Sequence, residues 1–164
     1  MKKIMGILIF GLLGLILLVF LVGLVLPSKR QFIKEGDIAA PVEEVFRMVT
    51  DVKNQTRWRH DVKEIRVLDD STWQELPYKG SPLTFRIKKS VMNELFEIEI
   101  IEPKNFKGYW IGSFEPSATG TKVSFVEVVV VDNPFMRVLT SLFVDLDKTM
   151  ELYLENLRKA IGNK

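Results

Sequence analysis

The chain of 164 residues contains no cysteine and a single histidine, His60. The first absence excludes disulfides, thiolate metal sites and cysteine nucleophiles, and the second excludes any multi-histidine metal centre. Long runs of one charge are missing too. Against 23 basic side chains stand 21 acidic ones, and no basic stretch suits nucleic acid. No Ser-His-Asp set, glycine-rich phosphate loop or paired His-carboxylate motif is present, so neither a cofactor nor a metal is expected. Internal repeats and low-complexity segments are also lacking outside the N-terminal stretch.

That stretch is the most distinctive thing the chain has. Ile4 to Leu26 covers 23 positions without a charged or amide side chain, nineteen of them large and apolar and the other four Gly6, Gly11, Gly14 and Gly23. As a helix rising about 1.5 Å per residue it reaches roughly 35 Å, enough to cross a hydrocarbon core of about 30 Å with a modest tilt. Summed over its side chains, insertion is favourable by on the order of 5 to 10 kcal/mol. A cleaved secretory signal shares the Met1-Lys2-Lys3 start, but its apolar region spans only about 7 to 15 residues. No Ala-x-Ala site lies near Pro27-Ser28-Lys29-Arg30, and a lipoprotein anchor would need a cysteine. The expectation is an uncleaved, single-pass membrane helix over 4–26, with 1–3 as its flank and 27–30 as a linker. Lys2 and Lys3 nearly balance Lys29, Arg30 and Lys34 across the span, so the side of the membrane is not assigned. The glycine gaps of five, three and nine give no close-packed dimer face, and the oligomeric state is equally unassigned.

Residues 27–164 number 138, with 21 basic and 21 acidic side chains, the size of one domain with its own core. Gln31 to Ile38 reads as a first strand. Pro41 then suits a helix start, Glu43 and Glu44 favour its positive end, and Val42, Val45, Phe46 and Val49 form an apolar stripe. Asp51 looks like the cap of a second short helix through Gln55, ending around Trp58-Arg59-His60. From Val62 the period changes to two. Val62–Leu68, Thr72–Leu76, Leu83–Lys88, Leu95–Ile101, Phe106–Phe114 and Thr121–Val131 alternate like strands. Turn clusters such as Lys79-Gly80-Ser81-Pro82, Glu102-Pro103-Lys104-Asn105 and Pro116-Ser117-Ala118-Thr119-Gly120 separate them. Six consecutive strands with short connections predict an antiparallel meander. Asn133 and Pro134 open a final helix in which Phe135, Leu139, Leu142, Leu146, Met150, Tyr153, Leu157 and Ile161 recur at three- and four-residue steps. That predicts one apolar face about seven turns long, lying on the sheet.

This order resembles the helix-grip fold of the START-like and pollen-allergen-like superfamily, also called SRPBCC. The fold class expected is α+β, a curved antiparallel sheet of about seven strands gripping a long C-terminal helix. Two short helices follow strand one, and one N-terminal transmembrane helix precedes the domain. Ala39-Ala40-Pro41-Val42-Glu43-Glu44-Val45-Phe46 is similar to the start of the family's first helix. Trp58-Arg59-His60-Asp61-Val62 is similar to its tryptophan-containing turn before strand two. Trp73-Gln74-Glu75 looks like its third strand, and Thr119-Gly120-Thr121-Lys122-Val123 with Asp132-Asn133-Pro134 looks like its last strand and the start of its closing helix. The resemblance covers residues 31–162 and is nearest to the polyketide cyclase/dehydrase-like group. It implies a cavity between sheet and helix that admits an apolar ligand.

The candidate lining is the inward register of the strands, Phe85, Ile87, Phe96, Ile98, Trp110, Phe114, Phe125 and Val129, with Leu142, Leu146 and Tyr153 from the helix. The competing reading of these residues is core filling. Glu127 alternates with Val123, Phe125 and Val129, and an unpaired acid on that face would have a raised pKa, as a general acid or ligand-orienting donor requires. A bulge would instead turn it outward, where Arg86 is available as a partner. His60 and Tyr109 are the other acid–base candidates, while Glu97 and Glu99 alternate on a wet strand face. Nothing in the sequence demands catalysis. The reading it favours is a membrane-anchored domain binding a hydrophobic small molecule or lipid, its partners being that ligand and the bilayer. The alternatives are a polyketide cyclase/dehydratase-like enzyme or a membrane-tethered protein-interaction domain.

Overall fold

The computed structural model describes residues 2–104 and 106–162, so Met1 of the N-terminal flank and Asn105 of the second turn cluster lie outside the described residues. The apolar run forms helix α1, Lys2–Val25. Within it Lys3–Val25 is long and apolar enough to cross a membrane. Most of its surface is bare, but near its C-terminal end Val19, Phe20, Gly23 and Leu26 are covered.

Strand β1, Lys29–Ile38, begins two residues earlier than the alternation predicts and absorbs Lys29 and Arg30 of the expected linker. Helix α2, Val42–Thr50, starts behind Pro41 with Glu43 and Glu44 in its first turn, and it buries Val42, Val45 and Val49. The second short helix is a 3-10 helix, Val52–Arg57. Strands β2 (Val62–Val67), β3 (Thr72–Pro77), β4 (Leu83–Val91), β5 (Leu95–Glu102), β6 (Phe106–Ser117) and β7 (Gly120–Val131) follow. They form the expected meander, and β1 returns to pair with β7, giving a seven-stranded antiparallel sheet in the order β1-β7-β6-β5-β4-β3-β2. Register shifts in the β2–β3 and β4–β5 ladders bend it, as bulges do. The β6–β7 turn needs Gly120, whose φ is +138° and where a side chain would meet the Ile38 carbonyl. Beside it the fully buried Thr121 Oγ1 donates to the Ala40 carbonyl at 2.7 Å, locking the β1–α2 connection onto β7.

The C-terminal helix is interrupted. Helix α3, Pro134–Phe143, is capped by the Asn133 side chain, which accepts from the Phe135 and Met136 amides. It ends at Val144, whose φ of −118° and ψ of 106° are extended, a conformation that suits a β-branched residue. Asp145 then caps a new helix, its Oδ1 accepting from the Lys148 amide at 3.1 Å. Helix α4, Leu146–Gly162, is the one that grips the sheet, packing chiefly on β1 and burying Met150, Leu154, Leu157 and Ile161. Together with Val45, Val49, Trp58, Trp73, Phe96, Phe114 and Phe125 these make the core. Each fully buried side chain of this size contributes about 1.5 to 3 kcal/mol. Helix α3 buries none of its residues and packs against α1 instead.

Candidate ligand site on the concave face

Residues opposite one another in an antiparallel ladder share a face. The register therefore places Phe32, Glu127, Trp110, Ile98 and Ile87 in one row across β1, β7, β6, β5 and β4. This is the face covered by α4, so Glu127 points inward and the register left open by the sequence is decided. Arg86, which would have met it on the outer side, instead donates to Glu99 at 2.7 Å. Deeper in the same face Phe96, Phe114 and Phe125 are almost wholly buried, whereas Phe32, Phe85, Ile87, Ile98, Trp110 and Tyr153 are half-buried around them. The rings interlock: Trp110 lies 5.0 Å from Phe125, and Tyr153 lies 5.5 Å from Phe125 and 5.1 Å from Trp58.

One end of this aromatic wall is polar. Arg59 forks onto Asp61, at 2.7 Å from Nη2 and 3.3 Å from Nε, while its Nη1 donates to Glu75 Oε1 at 2.9 Å and to Gln55 Oε1 at 2.8 Å. Trp73 Nε1 donates to the same Glu75 oxygen, and the guanidinium sits 5.5 Å over the Tyr153 ring. Burial opposes the charge on Arg59, but Glu75 and Asp61 outweigh it and hold the guanidinium ionised. Burial also pushes the Tyr153 phenol up, against the pull of Arg59.

Glu127 differs from the other two interior acids. It makes no hydrogen bond or ion pair among the described residues. Burial pushes its carboxyl up to about 7, with Arg59 opposing and Glu75 reinforcing. A half-buried carboxyl near neutral pH, set between Phe32 and Trp110, can accept a hydrogen bond when ionised and donate one when protonated.

The family model described as polyketide cyclase / dehydrase and lipid transport matches residues 31–162. The chain belongs to this START-like family. Its fold recurs in a START superfamily protein from Mycobacterium smegmatis, at 15% identity and a TM-score of 0.63 over 84% of this chain and 99% of that one. A norcoclaurine synthase from Thalictrum flavum, solved as a point mutant with a transition state analogue, gives 8% identity and a TM-score of 0.67 over 82% and 95% of the two chains. A protein from Thermus thermophilus gives 16% identity and 0.67 over 82% and 98%. At these identities the likeness is one of fold. No protein of curated function matches the sequence.

Within this START-like frame the acid–base candidates separate. Glu127 is on the concave face, whereas Tyr109 is on the outer face, under Lys88 at 5.7 Å from its ring centroid. His60 is exposed beyond the 3-10 helix, where it lines a groove of about 600 Å³ with Glu44, Arg47, Asp51, Arg57, Trp58 and Asn156. The three do not converge. Of the expected lining, Phe85, Ile87, Phe96, Ile98, Trp110, Phe114, Phe125, Val129 and Tyr153 all lie on the concave side. Val129 and Leu146 border a crevice of only about 20 Å³ near the start of α4. Leu142 belongs to α3 and is 70% exposed, because the chain turns at Val144 and takes α3 off the sheet.

The Arg59–Glu75–Asp61 cluster went unread in the sequence. Its signal was present: Trp73 and Glu75 alternate on β3, so an acid shares a buried face with a tryptophan and must find a cation there. Among the described residues no group of three or more His, Cys, Asp or Glu is placed to hold a metal ion.

Proposed function

We propose that the domain binds a hydrophobic small molecule or lipid against the concave face of the sheet, beside a membrane in which α1 is an uncleaved single-pass anchor. The observation that carries this reading is Glu127, an acid without a hydrogen-bonding partner among the described residues, set in an aromatic wall. A carboxylate among aromatic rings is poorly solvated when charged, and the polar end of an otherwise apolar ligand would give it a partner. Trp110, Tyr153, Phe32 and Ile98 supply apolar surface on either side, and the family's description includes lipid transport. The length and composition of α1 support the tether, and a ligand leaving the bilayer would then cross little water.

The test is native mass spectrometry of the full chain extracted from membranes in mild detergent. One enriched lipid or isoprenoid class, lost on Glu127→Gln or Trp110→Ala, is the expected result. Delipidated, folded protein that takes up no fluorescent fatty probe would overturn the reading.

A second reading, a cyclase- or dehydratase-like enzyme, draws support from the same carboxyl. An acid with a pKa of about 7 holds and releases a proton near neutrality, the condition general acid–base catalysis favours. It requires a pH–rate profile that Glu127→Gln abolishes.

A further inference from the structure

Helix α3 is built inside out. Phe135, Met136, Leu139, Leu142 and Phe143 fall on one side of the helix and are exposed, Leu142 by 70% and Phe143 by 78%, with Phe135 at the edge that meets α1. Its polar residues turn the other way: Arg137, Thr140 and Ser141 line the small crevice against Ser28, Arg30 and Val131. Arg137 is the only charged residue in the helix, and its donors are taken by backbone carbonyls of Val131, Asp132 and Gly23 at 2.8, 3.0 and 3.2 Å. Nothing on the outward face calls for water.

The same helix is fixed to the end of α1. The Phe135 ring lies 5.6 Å from that of Phe20. Gly23 admits the Pro134 backbone so closely that a Cβ there would collide with the Pro134 carbonyl, which gives this glycine an intramolecular packing role. Any bilayer that holds α1 therefore meets α3. Phe20 is six residues before Leu26, about 9 Å along a helix, and amphipathic interfacial helices bury their apolar faces about 5 to 10 Å into the boundary of headgroups and acyl chains.

We infer that α3 is a second membrane contact, lying at the bilayer surface with Phe135, Met136, Leu139, Leu142 and Phe143 among the acyl chains and fixing the orientation of the domain. This rests on the reading of α1 as a span. The partner is the lipid surface, because the exposed apolar face continues that of α1 and is held level with its last two turns. The consequence is positional. Val131, the last residue of β7, adjoins α3, and Glu127 stands four residues back along the strand, about 13 Å at 3.3 Å per residue.

The absence of cysteine makes the test clean, since any introduced thiol is unique. Full chains carrying Leu142→Cys, Phe143→Cys, Leu12→Cys in α1 or the exposed Lys53→Cys are labelled with an environment-sensitive fluorophore. They are reconstituted in vesicles of phosphatidylcholine and phosphatidylglycerol in equal parts. Acyl-brominated phospholipid should quench the labels at 142 and 143 severalfold more than the label at 53, and aqueous iodide should do the reverse. Quenching at 12 but not at 142 and 143 overturns the inference and leaves the span intact. Labels at 142 and 143 shielded from both quenchers mark a second copy of the chain on α3 and also overturn it. No lipid quenching at 12 removes the span and this inference with it.

Discussion

Arg59 Nη1 reaches Glu75 Oε1 at 2.9 Å across sixteen positions of sequence, and the two side chains are only 12% and 10% exposed. At that burial each charge depends on the other for its solvation. Removing one partner leaves an uncompensated interior charge, which typically costs 3 to 5 kcal/mol, whereas apolar replacement of a whole pair is often near neutral. Glu75→Leu is expected to lose about 3 kcal/mol in urea unfolding of the detergent-solubilised chain. Arg59→Met should lose at least as much, since it strands both Glu75 and Asp61. The double variant Arg59→Met/Glu75→Leu should cost less than the sum of the two. Strict additivity would mean that the ion pair contributes no coupling.

Glu127 makes stability depend on pH in the opposite sense to an ion-paired acid. Its folded pKa, about 7, lies above the unfolded value near 4.5, so the native state binds more protons between those limits. Stability is then greatest below about 4.5 as far as this group is concerned, falls as pH rises through 7, and is flat above. The span corresponds to roughly 3 kcal/mol at about 1.4 kcal/mol per pH unit. Glu127→Gln removes the dependence and raises the urea midpoint at pH values above 7. A midpoint that does not change between these limits in the wild type, once matched against Glu127→Gln, would rule out the raised pKa.

Strand positions were the most legible part of the chain, and for a physical reason. In Leu83-Thr84-Phe85-Arg86-Ile87 and Thr121 to Val131 one face is buried, so the two-residue period is imposed by water and survives in the sequence. Glu127 shows the same rule at the site: alternation with Phe125 and Val129 gave its inward direction, and pairing with Trp110 removed the alternative of a bulge. The helix break was hidden because Leu142 and Leu146 keep a four-residue step across Val144-Asp145. Apolar periodicity reports a surface that must be covered without saying by what. Part of that surface faces the sheet, and part of it, on α3, does not. The Arg59 cluster was hidden because its partners come from a turn, a 3-10 helix and strand β3, which only tertiary structure joins.

Trp110 and Phe125, 5.0 Å apart, separate core filling from ligand contact. Phe125 is 1% exposed, and Phe125→Ala should cost about 3 to 5 kcal/mol through lost burial and the cavity left behind. Trp110 is half-buried at the row that contains Glu127, so Trp110→Ala should cost less stability than Phe125→Ala while losing most of the uptake of a fatty fluorescent probe. Titration of that probe and urea unfolding on the same samples give both numbers. Uptake that simply follows stability in the two variants would make Trp110 a core residue and nothing more.

Arg137 joins three parts of the molecule through backbone carbonyls at the end of α1, the end of β7 and Asp132. The last carbonyls of a helix have no intrahelical donor and carry its negative end, so a guanidinium there both bonds and neutralises them. Arg137→Ala should release α3 and the C-terminal turn of α1 from the sheet while leaving the core intact, because its donors meet backbone carbonyls and not the packed side chains of the core. Hydrogen bonds to a charged group contribute about 1.5 to 3 kcal/mol. Amide exchange in α3 should accordingly accelerate about tenfold to a hundredfold, with α4 and β5–β7 unchanged. Arg137→Lys keeps the charge but replaces the planar fork with one nitrogen that cannot reach all of these carbonyls at once, so it should recover only part of the protection. Exchange of α3 that is unaltered in Arg137→Ala would show that Phe20, Gly23 and the Phe135 ring hold the helix by packing alone.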